Sequence, residues 1–479
     1  MKGNNKPEMP KPIDFNDLNS FSWNSFLIKV LIFCAIIISV VLYTDSKGYF
    51  NADQKNNHIR KKWSSFYDYT QQKQVDVVIL GNSHVLTGID PFVLSDATSS
   101  VCFMLGNSGT NIMDAWFQLG GVLKQTKPKL VVLETYCINN TNSPKDEEII
   151  PYLQSFDAQS DFTHKIQCMP HLFQSDYWIG AWSTTIRNHS FLLTDTARIK
   201  FNIKNQDEIQ SKKLNLGRFA RFGFGLQDST LAKYAKLGAP VKGNEYRISE
   251  FSKKYLRKIM DLCQKENIPV LFLTVPMYHK HVSNYAAWKQ TLSQELKKYT
   301  QAKWLDLQAH YDSVLYTPEM FENTYAENQH LSNAGMTASA YKLAQYIFGN
   351  YPKLLPDRSQ DKKWIDDFST TDHFIYNQPV PVGMPGFLSI IKNKQIDKFC
   401  IKELAIIQIQ KTNRLILKVN KKPNLPEKIT VECKFTSMGK EMIAPLNMVK
   451  PKELFSPNYV VYIADLKPNI KIIDVLKIK

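Results

Sequence analysis

Three short stretches carry residues able to act on an acyl group. Gly81-Asn82-Ser83-His84 directly follows the apolar run Val75-Asp76-Val77-Val78-Ile79-Leu80. A serine one turn past a buried strand, at the start of a helix, has its backbone N–H turned into the crevice. There it can hold an oxyanion in the positive field of the helix N-terminus. A plain helix N-cap serine would fit the same position. Val85 stands where the second glycine of a G-x-S-x-G elbow belongs, so that elbow is excluded. Gly106-Asn107-Ser108-Gly109-Thr110-Asn111 is the second stretch. Glycine after a strand lets a substrate approach the backbone, and a simple turn into a helix is the alternative. The third is Glu327-Asn328-Gln329-His330-Leu331-Ser332-Asn333-Ala334-Gly335. His330 precedes a helix capped by Ser332 or Asn333. An acid three residues upstream, Glu327, can fold back onto the imidazole Nδ1–H and leave Nε2 for a serine.

Such groups gather at the carboxyl ends of the strands of an open parallel sheet, so the sequence must supply that sheet. Apolar runs predict strands at 75–80, 101–105, 129–134, 268–275 and 304–307. Helical patterns lie at 114–125, 255–266 and 333–348. The alternation predicts an α/β fold with a parallel sheet in a three-layer sandwich. Residues 141–250 interrupt it with an irregular, aromatic-rich stretch. It reads as a helical insertion or lid at the mouth of the site, or as an ordinary packing subdomain. After Pro352 proline recurs through a linker, 350–386. Short β-type runs then predict a small β-sandwich over 387–479.

The N-terminal 1–20 reads as a disordered tail rich in Pro, Asn and Lys. Residues 21–43 read as an uncleaved membrane anchor, with Trp23 and Tyr43 at interfacial positions and no small-residue cleavage site after the apolar core. Lysines flank both sides, so charge alone does not orient it. A polar, helical connector spans 44–74. The formal charge of +16 is concentrated at the end: 392–479 holds 18 Lys and Arg against 8 Asp and Glu. That attracts polyanions, or else is a solvated face that keeps the protein soluble. Nucleic acid is the least favoured partner, since no zinc-finger spacing, basic helix or RNA-binding aromatic signature accompanies the charge. Seven cysteines show no CxxC and no metal-ligand spacing, so no metal and no cofactor are expected. Cys400 and Cys433 are either a disulfide pair or two free thiols.

Taken together, GNSH, the glycine block and ExxHLSNAG resemble, in order and spacing, the SGNH (GDSL-like) hydrolase superfamily. The stretch ILGNSHVLTGIDPFVL is similar to a bacterial subgroup with a single membrane anchor. That subgroup is related to proteins that O-acetylate alginate and other envelope polysaccharides. The resemblance covers about 75–140 and 251–349. It implies a flavodoxin-like three-layer domain, anchored in the bacterial inner membrane and facing the periplasm or cell exterior. It implies Ser83 as nucleophile, His330 as general base, Glu327 as orienting acid, and the Ser83 and Gly109 N–H groups as the oxyanion hole. Two departures stand out. Glu327 replaces the usual aspartate. The GxND block is also missing after the third strand, where Glu134-Thr135-Tyr136-Cys137 stands and Asn139 is the loose candidate for the asparagine donor. The implied activity is acyl transfer, as O-acetylation of a polysaccharide, with the acyl group supplied by a membrane-bound O-acyltransferase partner. A carbohydrate esterase with the same serine ester, and a non-catalytic glycan-binding scaffold, are the alternatives.

Overall fold

The computed structural model describes residues 23–51, 58–71, 74–139, 149–204, 216–217, 248–278, 285–299, 302–311, 316, 320–321, 330–361, 386–408, 413–420, 425–437, 440–450, 459–466 and 470–479. The tail 1–20, most of the linker, Glu327, and Phe219, Phe222 and Phe224 of the insertion lie outside them. The chain divides into two units: 1–55 with 176–209, and 56–175 with 210–479.

The larger unit holds the predicted parallel sheet. Its strands are β1 (Val77–Leu80), β2 (Cys102–Met104), β3 (Leu130–Glu134), β4 (Val270–Thr274) and β5 (Lys303–Asp306). Every residue of β1 to β4 is buried. Such strands are covered on both faces, hence continuous apolar runs instead of alternation. All pairings are parallel, in the order β2-β1-β3-β4-β5. The fold is therefore α/β, and the order of a doubly wound sheet puts its reversal point between β1 and β3. Helix Pro91–Thr98 packs on helix Asn333–Asn350, while helix Ile112–Gln125 packs on Glu250–Lys265. Asp90 caps the first of these, accepting from Phe92 N at 3.0 Å, with Pro91 in its first turn. The described start of the insertion, helices Ile150–Ala158 and Phe162–Leu172, packs on Ile112–Gln125.

A buried ion pair closes the start of this sheet. Asp76, fully buried just before β1, accepts from Arg358 Nε and Nη2, both at 2.7 Å, and from Val101 N at 2.9 Å. The segment after the last helix thus returns to the first strand.

The C-terminal region is one antiparallel sheet, and this corrects the expected sandwich. It comprises β6 (Gly386–Ile396), β7 (Phe399–Gln408), β8 (Asn413–Asn420), β9 (Lys428–Ser437), β10 (Lys440–Val449), β11 (Tyr459–Leu466) and β12 (Ile470–Ile478). The order is β12-β9-β10-β11-β8-β7-β6. Register shifts in β6, β7 and β12 curl it until its two edge strands meet as a near-barrel. Lys394 of β6 bridges that seam, donating to Asp474 at 2.5 and 2.7 Å and to Val475 O at 3.1 Å. Its inner face has its own core, including Leu404, Leu417, Val431 and Tyr462. Ile416 and Ile463 join the α/β core instead. Lys418, buried, reaches Asp96 at 3.2 Å, so one charge of this basic region is consumed in docking. Cys400 and Cys433 are free thiols.

The smaller unit contains helix Trp23–Lys47, whose residues are long and apolar enough to cross a membrane and are not buried. Around its far end lie four short helices: Trp178–Trp182, Thr184–Arg187, Phe191–Thr194 and Thr196–Lys204. Asp45 Oδ1 accepts from Thr184 Oγ1 (2.9 Å), Thr185 N (2.7 Å) and Thr185 Oγ1 (2.6 Å). Asn188 donates to Phe50 O at 2.7 Å, and the buried Asn202 donates to Tyr49 O and Asn51 O at 2.8 and 3.0 Å.

Candidate functional site

The sheet's carboxyl end collects the three sequence stretches. Ser83 opens the short helix Ser83–Leu86 right after β1. Asn82 caps that helix, its side chain accepting from His84 N at 3.0 Å. Gly81 has a φ of +149°, and a Cβ there would sit 2.5 Å from Glu134 Cβ. Only glycine allows the turn that presents Ser83. The second stretch is stitched to the first: Asn107 N donates to Gly81 O at 3.1 Å, and Leu105 N to Ile79 O at 2.9 Å. Gly109 occupies the turn before helix Ile112–Gln125, with a φ of +74°. Asn111 caps that helix, accepting from Met113 N at 3.0 Å.

The third stretch arrives from the other end of the chain. His330 is buried just ahead of helix Asn333–Asn350, whose cap is Ser332. Leu331 bridges to Phe321, and Ser332 N donates to Met320 O at 2.8 Å. The His330 ring lies edge-on to that of His84, centroids 5.2 Å apart. His84 is the residue after Ser83, so His330, 247 positions beyond Ser83 in sequence, lies near the turn that carries Ser83, and its ring contact is with His84. Glu327 lies outside the described residues. Asn139 ends the short helix Tyr136–Asn139 that follows β3.

Three residues here went unassigned in the sequence. His84 is the first: its ring faces Tyr136 at 4.5 Å, and Tyr136 stacks on Trp288 at 5.4 Å. Burial pushes the His84 imidazole down to about 4, so it is neutral at pH 7. Tyr136 is the second. Glu134 is the third and sits fully buried under the Gly81 turn. Its Oε1 accepts from Tyr136 N at 2.6 Å and its Oε2 from Cys137 N at 3.2 Å, with the Asn82 and Thr135 N–H groups also aimed at it. Burial pushes its carboxyl up to about 8, while those N–H donors pull the other way. An acid closing a buried strand beside a strand that ends in glycine was the available signal. What it signifies is a clasp joining the β1 and β3 ends across the reversal point.

A second buried polar group underlies the glycine block. Lys62 of helix His58–Thr70 donates to Gly106 O at 2.8 Å. Burial lowers its pKa, and the nearby charge of Asp114 opposes that. Burial raises Asp114 to about 6 against hydrogen bonds from Ser155, Gln118 and Thr110. Asn107 Nδ2 donates to Ser155 Oγ at 2.8 Å, and Trp63 Nε1 to Gln118 Oε1 at 2.5 Å. The loop carrying Gly106 to Gly109 is thereby held from beneath. The arrangement puts a serine at a helix start after β1, with His84 and His330 in ring contact one residue further on.

No family model matches the chain, and no curated protein does. Among solved structures it is similar to one described as a gut microbial diltiazem-metabolizing enzyme. The identity is 11% and the TM-score 0.27, over 77% of this chain and 60% of that one. The chain thus spans less than two thirds of that protein's length.

Proposed function

We propose that this protein is a membrane-anchored enzyme of the SGNH type, with a flavodoxin-like three-layer domain, that transfers an acyl group to a polysaccharide hydroxyl at the bacterial cell envelope. The observation that carries the reading is the meeting of His330 with His84, beside Ser83, at the carboxyl end of a sheet ordered β2-β1-β3-β4-β5. In this reading Ser83 Oγ attacks the acyl carbonyl and passes its proton to His330 Nε2. The leaving group takes that proton and departs, leaving an ester on Ser83. A sugar hydroxyl then loses its proton to His330 and attacks the ester; the bond to Ser83 Oγ breaks, that oxygen takes the proton back from His330, and the acylated sugar leaves. The Ser83 and Gly109 N–H groups stabilise both oxyanions, and Glu327 orients His330. A membrane-bound O-acyltransferase supplies the donor, and the basic near-barrel supplies charge for an anionic chain. Helix Trp23–Lys47 holds the protein in the inner membrane, with its catalytic domain outside the cytoplasm.

The test is labelling of the full chain in detergent with a fluorophosphonate, and turnover of p-nitrophenyl acetate, beside Ser83→Ala and His330→Ala. Labelling at Ser83 that both substitutions remove is the expected result. Labelling elsewhere in a folded protein would sink the assignment. Addition of glycan to the acylated protein then separates transfer from hydrolysis by water. One observation favours the scaffold reading. Glu134-Thr135-Tyr136-Cys137 stands where the third block is expected, without its asparagine donor, and Glu134 accepts the Tyr136 and Cys137 N–H groups there. Loss of such a donor costs about 2.7–4 kcal/mol of transition-state stabilisation. A folded wild type that neither labels nor turns over would favour that reading.

A further inference from the structure

The smaller unit leaves many large apolar side chains uncovered in a stretch of only 29 residues, 176–204. Leu193 is 93% exposed and Ile179 68%, and Trp178, Trp182, Leu192 and Ile203 are also exposed. Scattered surface apolar residues are ordinary, but a run of this density is an interaction surface. Its position says what covers it. The contacts from Thr44 and Asp45 to Thr184 and Thr185 lie immediately beyond Tyr43, where the apolar run of helix Trp23–Lys47 ends. The four helices are therefore fixed at the depth where hydrocarbon gives way to headgroups. Two tryptophans suit that depth, because indole is apolar on its faces and polar at its N–H. Lys200 and Lys204 are exposed on the same stretch, and their ammonium groups suit phosphates. The helices of this stretch have 5, 4, 4 and 9 residues, too short to cross a bilayer but suited to lie along one.

We infer that residues 178–204 form a second membrane contact, lying in the headgroup layer around the end of the spanning helix. The inference rests on the reading of Trp23–Lys47 as a membrane span. The single helix then becomes a footed anchor, because the Asp45, Asn188 and Asn202 hydrogen bonds fix the foot to the shaft.

The test places an environment-sensitive nitrobenzoxadiazole label on Leu193→Cys, in a Cys34→Ser, Cys400→Ser background of the full chain. Ile179→Cys is a second label site and Lys477→Cys a control. The protein is reconstituted into phosphatidylcholine–phosphatidylglycerol vesicles with and without shallow doxyl-labelled lipid. At 179 and 193 a blue-shifted emission quenched at least twofold by doxyl lipid is expected, with no quenching at 477. Carbonate-resistant protein with water-like, unquenched emission at 179 and 193 would overturn the foot and leave the span standing. Labels unquenched in vesicles but shielded in native membranes would also overturn it, in favour of a protein partner. Release of the protein by carbonate, with unquenched labels, would remove the span and the foot together.

Discussion

The two sheets of this protein bury their residues differently, and that difference decides where chemistry can sit. In the parallel sheet β1 to β4 are buried along their whole length, so their only polar outlets are their ends. There Gly81, Ser83, Glu134 and Thr274 appear. In the C-terminal sheet β10 alternates weakly and is mostly exposed. Polar residues occur along such strands, so no end is singled out. Closure there depends on an ion pair exposed on both sides, whereas the ion pair at the start of the parallel sheet has its carboxylate fully buried. The lesson is that polar residues able to form a site collect where burial leaves the chain a single place to be polar.

The largest blow to that contrast is Gly81→Ala. A Cβ at a φ of +149°, 2.5 Å from Glu134 Cβ, cannot be accommodated without moving β3. Strain and overpacking together should cost about 2–5 kcal/mol and abolish fluorophosphonate labelling, read by thermal unfolding and gel. Arg358→Ala comes next. It strands the buried Asp76 carboxylate, and a loss of about 3 kcal/mol is expected by denaturant titration, with Asp76→Asn in the same chain recovering part of it.

Smaller effects should appear as pH slopes. Glu134 titrates near 8 when folded, above its ordinary value, so it stabilises the fold fully only below its unfolded range near 4.5. That contribution is lost as pH rises through about 8. His84, lowered to about 4, runs oppositely. Its contribution is present above about 6.5 and lost as pH falls through about 4. Unfolding midpoints measured from pH 4 to 9 should lose their alkaline slope in Glu134→Gln and their acid slope in His84→Asn. An unchanged alkaline slope in Glu134→Gln would show that the four N–H donors keep the carboxylate ionised. The smallest effect belongs to the other sheet. Lys394→Ala removes a pair whose side chains are 37% and 36% exposed, and should cost less than about 1 kcal/mol by the same melts.

These contrasts also explain which parts were legible in sequence. Val77–Leu80, Leu130–Glu134 and Val270–Thr274 are unbroken apolar runs, and only a sheet covered on both faces needs them, so the α/β class could be read directly. The places of Ser83 and His330 at element boundaries were legible, because each adjoins a helix start with its own cap. Glu134, His84 and Tyr136 were not, because their roles come from β3 inserting beside β1, a pairing that no local pattern encodes. The near-barrel was misread for a related reason. All five residues of Leu415–Val419 are buried, so the run tells neither which face is inward nor which edges meet. The meeting of β6 with β12 rests on Lys394 and Asp474, 80 positions apart.

The Asp76–Arg358 clamp sets a schedule for the molecule's birth. The carboxylate and its guanidinium are separated by 282 positions. At ~5–20 residues per second, synthesis leaves the start of β1 without its counter-ion for roughly 15–55 s. During that interval the first half of the sheet can assemble only by burying an uncompensated charge, which is unfavourable. The pairing that secures the start of β1 is therefore made only after the last helix has emerged, so the clamp belongs to the late steps of assembly.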